Sequence, residues 1–115
     1  MHKIYYSDDT GEDYDLVSSH ADLNTAEAEA DRLNSILHDL VMRGKAFEPP
    51  AGTIDEKIEA TCNFIRAQPE WQALCEAIPS VFTKDENPFV LGFNAGPTID
   101  VREDNGCIVH PGRRP

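Results

Sequence analysis

Apolar residues recur at Ala26, Ala30, Leu33, Ile36, Leu37, Leu40 and Val41, the three-and-four spacing of a helix with one buried stripe. The pattern predicts a helix over residues 23–44. Asn24 is placed to cap its start, with Glu27 three residues on to complete a capping box. Gly44 is placed to supply the left-handed residue that ends it. A second helix is announced by Thr53-Ile-Asp-Glu56, another capping box, with Ile54, Ile58, Cys62 and Ile65 as its inner row. It must stop before Pro69, because a residue preceding proline is pushed out of helical geometry. Pro69 then suits the first position of a third, short helix whose inner row is Trp71, Leu74, Cys75 and Ile78.

Both ends of the chain change period from three-and-four to two. Residues 3–7 and 13–18 read as strands around a turn-rich segment containing Gly11. In the first, Ile4 and Tyr6 share a face. In the second, Tyr14, Leu16 and Ser18 are expected on the apolar face and Asp13, Asp15 and Val17 on the wet one. Residues 88–93, 98–102 and 107–110 are strand-like, and Asn105-Gly106 is a strong hairpin signal. A two-residue turn there would group Ile99, Val101, Ile108 and His110 on one face. A three-residue loop with a bulge at Gly106 groups Ile99, Val101, Cys107 and Val109 instead, and is preferred because it leaves Arg102 and His110 in water.

The element order is ββ-ααα-βββ. It predicts a single α+β domain over residues 1–112, with a frayed tail at 113–115. An N-terminal hairpin, three helices and C-terminal antiparallel strands make it up, the helices lying on one side of the sheet. The pattern shows no internal repeat. At 115 residues and 40% apolar content the chain has enough material for one core without staples.

Charge adds what the pattern does not show. The net charge is −11, and residues 1–40 hold ten acids against Lys3 and Arg32, which is −8 of that total. Repulsion disfavours direct binding to nucleic acid or to an anionic membrane. No stretch approaches the roughly 18 apolar residues of a membrane helix. The start, MHKIYYSDD, lacks the apolar core of a secretory signal. Cys62, Cys75 and Cys107 are an odd, widely spaced set, which fits reduced thiols better than a disulfide scaffold. These points together predict a cytoplasmic protein.

Candidate chemistry is thin. Cys107-Ile-Val-His110 is a Cys-x-x-His pair, and Cys62 and Cys75 could complete a four-ligand zinc set. Residues at i and i+3 of a strand point to opposite faces, however, and Cys62 and Cys75 lie on apolar helical rows. Cys107, His110 and Asp100 are the one grouping that neighbouring strands could bring together for nucleophilic catalysis. No glycine-rich loop or helix start follows the cysteine to stabilise an oxyanion. Asp8, Asp9, Glu12, Asp13 and Asp15 cluster at the first turn without the spacing of a calcium loop. Gly92, Gly96 and Gly106 make no phosphate cradle. No cofactor or metal is expected.

The expectation that remains is a small acidic, non-enzymatic binding protein. It would present an anionic surface to a basic protein partner, carried by Asp8, Asp9, Glu12, Asp13, Asp15, Glu27 and Asp31. In its sharpest form this is an inhibitor of phage or mobile-element type, whose carboxylates occupy a groove built for a phosphate backbone. Two alternatives come from other classes. One is an assembly subunit that buries Phe47, Phe89 or Phe93 against copies of itself. The other is a thiol or metal site at Cys107 and His110.

Overall fold

The computed structural model describes residues 1–7, 14–88 and 97–112. The expected strand at 88–93 and the carboxylates Asp8, Asp9, Glu12 and Asp13 lie almost wholly outside them. The architecture is the predicted one: an N-terminal hairpin, three helices and C-terminal strands, with the helices packed on one antiparallel sheet. The strands are β1 (His2–Ser7), β2 (Tyr14–His20), β3 (Thr98–Arg102) and β4 (Ile108–His110), in the spatial order β2-β1-β3-β4. β1 is therefore central, and it pairs Ile4 with Val101 and Tyr6 with Ile99. These four side chains form the sheet's contribution to the core, each with 3% exposure or less.

Helix α1 (Leu23–Ala46) lies across that face. Its stripe packs as the spacing requires, with Ala26, Ala30, Leu33, Leu37, Leu40 and Val41 buried and Ile36 partly so. Its ends differ from expectation. Asp22 is the cap, its carboxylate accepting the Thr25 N–H at 3.1 Å and the Thr25 hydroxyl at 2.8 Å. Asp satisfies the orphan amides of a first turn as well as Asn does, and it stands two residues earlier. The helix also runs through Gly44 and ends on Phe47, whose N–H donates to the Arg43 carbonyl. Gly44 has a different use: a Cβ there would stand 2.9 Å from Ile65 Cδ1, so the missing side chain lets the next helix approach.

That helix, α2 (Ile54–Arg66), begins with the predicted capping box. The Thr53 N–H donates to Glu56, and the Glu56 N–H donates to the Thr53 hydroxyl, both at 3.2 Å. Its inner row is only half inner. Cys62 and Ile65 are buried, but Ile58 is 42% and Ile54 77% exposed. Helix α3 (Pro69–Ala77) starts at its proline and buries Trp71 and Leu74, with Ile78 buried at its cap and Cys75 partly so. The turn that follows supplies two core residues that no periodicity marked, Val81 and Phe82. Phe82 meets Tyr6 of β1 edge-on at 5.3 Å and Trp71 of α3 edge-on at 5.4 Å, which joins the sheet to the helical layer.

Two bulges overturn expected faces. Ile4 lies opposite Ser18 but Tyr5 opposite Leu16, so Val17 is an extra residue in β2. Val17 accordingly packs on the core while Leu16 is 50% exposed, the reverse of simple alternation. The second bulge is in the β3–β4 hairpin. Its loop is the preferred three-residue one, closed by the Glu103 N–H on the Cys107 carbonyl with Gly106 at φ +86°. Beyond it, Arg102 lies opposite Ile108 and Val101 opposite His110, so Val109 is skipped. Cys107 and Val109 are consequently exposed rather than inner. His110 turns toward α1, and Arg102 is held between Asp100 and Ser7 rather than left in water.

Candidate partner-binding surface

The predicted anionic set divides in this fold. Asp15 is exposed on β2, at one edge of the sheet. Asp31 is exposed on α1 and bonded at 2.7 Å to His110 of β4, at the opposite edge. Three strand spacings, about 14 Å, separate those edges. Glu27 is partly buried on α1. The structure therefore places Asp15 and Asp31 toward opposite edges of the sheet rather than side by side. Asn34, one turn on from Asp31, is turned inward. Its amide donates to the Ile99 carbonyl at 2.7 Å and accepts the Ile99 N–H at 3.1 Å.

Asp31, Asn34, Ser35, His38, His110 and Gly112 border a cleft of about 600 Å³ between α1 and the end of β4. Gly112 fits there because a Cβ would stand 2.7 Å from the Ile99 carbonyl oxygen, and its N–H donates to Asp100 at 2.7 Å. The cleft carries one carboxylate–imidazole bond, and its amide is already spent on the β3 backbone. The grouping of Cys107, His110 and Asp100 is not assembled: the carboxylate partner of His110 is Asp31, while Asp100 is engaged by Gly112 and Arg102. Among the described residues, no three His, Cys, Asp or Glu side chains are placed to hold a metal ion. Of the thiols, Cys62 is buried, Cys75 partly buried and Cys107 exposed, which corrects the expectation that all three are interior. Burial, reinforced by Glu76, pushes the Cys75 thiol above its ordinary pKa and away from the reactive thiolate.

The arginines are engaged inside the molecule, whereas Lys45, Lys57 and Lys84 are exposed and form no ion pair among the described residues. Arg32 forks onto Glu29 at 2.6 and 3.0 Å, and that hydrogen bond holds the Glu29 carboxyl below the usual range. Arg43 of α1 reaches Glu70 of α3 at 3.0 Å. Arg66 bonds Asn63 and the Glu86 carbonyl, and Arg102 pairs with Asp100. Lys3 and the N-terminal amine both meet Asp104, whose carboxyl the amine holds below its ordinary pKa. Against this, Asp15, Asp39, Glu48, Asp55, Glu59 and Asp85 are exposed and form no ion pair among the described residues. The uncompensated negative charge thus extends well beyond the first forty residues.

One part of that surface is also apolar. Phe47 stacks on Phe64 at 4.3 Å and Gly44 touches Ile65, so the last turns of α2 sit on the end of α1. At 1.5 Å per residue, Ile54 lies about 15 Å farther out. Ile54 and Ile58 continue the stripe of Cys62 and Ile65 with no core beneath them, and Asp55 and Glu59 run along one flank. Sequence reasoning assigned these isoleucines to the interior. The available signal was the preceding KAFEPPAG segment, which offers one aromatic residue to cover two helical turns.

No protein-family model, curated protein or solved structure matches this chain.

Proposed function

We propose that this is a small acidic binding protein of the cytoplasm that receives a basic protein partner on its uncompensated carboxylates and has no enzymatic activity of its own. The observation that supports this reading is the asymmetry of pairing. Every described arginine is held by a partner within the molecule, while six exposed carboxylates and only three exposed lysines are held by none among the described residues. With its arginines occupied and its exposed unpaired acids outnumbering the exposed lysines Lys45, Lys57 and Lys84, such a molecule offers its anions to arginine forks and lysine ammonium groups from outside. Asp15, Glu27 and Asp31, with Asp8, Asp9, Glu12 and Asp13 of the first turn, remain part of the proposed set. Asp39, Glu48, Asp55, Glu59 and Asp85 join it. Where the partner handles nucleic acid, these carboxylates would compete with phosphates for the same groove.

No described helix is long and apolar enough to cross a membrane. The assembly reading loses one of its candidates, because Phe47 is already stacked on Phe64. Capture from cytoplasmic extract at low and then high salt tests the proposal. A retained basic protein that is released by salt is the expected result, because exposed charge pairs are screened within about 10 Å at 0.1 M salt. Retention indifferent to salt would refute the anionic mode of binding.

A further inference from the structure

We infer that the projecting first two turns of α2 are the docking ridge, and that their occupant is a basic, amphipathic segment of the partner protein. This rests on the reading above and names where on the surface the partner sits. Ile54 and Ile58 are one helical turn apart, 77% and 42% exposed, and aligned with the buried Cys62 and Ile65. Asp55 and Glu59, also one turn apart, border one side of that stripe and carry no ion pair among the described residues, and a single cation, Lys57, borders the other. Glu56 is occupied by the capping box and is not free to receive a partner. An apolar row beside a carboxylate row is complementary to a segment that carries apolar residues on one face and Lys or Arg next to them.

A second copy of this chain fits the same ridge poorly. Each copy bears −11. A two-fold antiparallel pairing of the α2 ends would set the Asp55/Glu59 flank of one molecule against the same flank of the other. The like net charge of two copies, and two acids against the one Lys57 beside the stripe, therefore favour a cationic occupant over a self-partner.

The test uses two synthetic peptides of identical composition, both built only from leucine and lysine. One is ordered as an amphipathic helix and one is scrambled so that it has no apolar face. Each is titrated into the full chain, with amide NMR shifts and affinity read at low and high salt. The expected result is shifts centred on residues 54–59 and affinity for the ordered peptide about tenfold above the scrambled one. That advantage should vanish in the Ile54→Ser/Ile58→Ser variant, whose unchanged melting temperature reports an intact fold. The Asp55→Asn/Glu59→Gln variant should lose the salt dependence at this site while keeping the fold.

Equal, salt-sensitive affinity for both peptides would overturn the ridge and leave the anionic reading standing. Binding that needs the isoleucines but ignores salt would overturn the basic occupant. Failure of both peptides to bind would overturn both readings. A homodimer in sedimentation that the double serine variant abolishes would assign the ridge to a second copy and overturn the inference.

Discussion

α1 and α2 carry the same kind of apolar stripe, yet only one of them is covered. The α1 row has the whole sheet beneath it and ends within the core on every turn from Ala26 to Val41. The α2 row begins about 15 Å along its own axis from the Phe64 contact with α1 and reaches the core only at Cys62 and Ile65. Periodicity states that a helix is two-faced. It does not state that something lies against the apolar face. Leaving an isoleucine in water forgoes about 1.5–3 kcal/mol that burial would contribute, so Ile54 adds little to the stability of the chain.

The sharpest way to break that comparison is to cut equally into both regions. Trp71→Ala, beneath the Phe82 cluster, should lower unfolding free energy by about 3–5 kcal/mol in a denaturant titration. Ile54→Ala should change it by less than about 0.5 kcal/mol, as for other exposed positions. If the two losses are comparable, α2 is folded down in solution and the contrast disappears.

Between these extremes stands Asn34. Asn34→Ala removes both bonds to the Ile99 backbone and leaves a shielded N–H and C=O without partners, which should cost about 1–3 kcal/mol. Faster hydrogen exchange at the Ile99 amide is the local signature. An unchanged exchange rate would show that β3 does not depend on α1 for its edge.

The smallest effect concerns the helix starts. Hydrogen bonding to Thr25 holds the Asp22 carboxyl below its ordinary value, so its contribution is present above the unfolded carboxylate pKa, about 3.9, and is lost as pH falls through the lower folded one. Glu56 in the α2 capping box is lowered in the same sense by its bonds to Thr53. Acid should therefore loosen both first turns, followed through the Thr25 and Glu56 amides. In Asp22→Asn the Thr25 response should vanish while the Glu56 response persists, because asparagine caps without titrating.

Much of the fold was legible in the sequence, and the reasons are particular. Helical spacing located α1, α2 and α3, and Thr53-x-x-Glu56 marked its helix start because the reciprocal bonds are local. Asn105-Gly106 marked its loop for the same reason. What escaped was non-local. Val17 and Val109 occupy bulges that only pairing with a neighbouring strand reveals. Val81 and Phe82 enter the core from a turn with no period to betray them. Gly44 looked like a terminator because glycine serves both as a helix stop and as room for a crossing helix, and only the position of Ile65 distinguishes the two. The binding surface was less legible still. Charge count indicated anionic character, but which carboxylates remain unpaired depends on where Arg32, Arg43, Arg66 and Arg102 find their partners.

The amide of Asn34 has a consequence for how the sheet is assembled. A one-residue slip of β3 would present Asp100 where Ile99 stands and point the wrong backbone groups at α1, so the side chain reads strand alignment directly. It also bonds the stretch of β3 beyond the end of β4, which Gly112 flanks as well, so those backbone groups are not left open to a foreign strand. One side chain thus serves as an alignment gauge and, together with Gly112, as an edge guard.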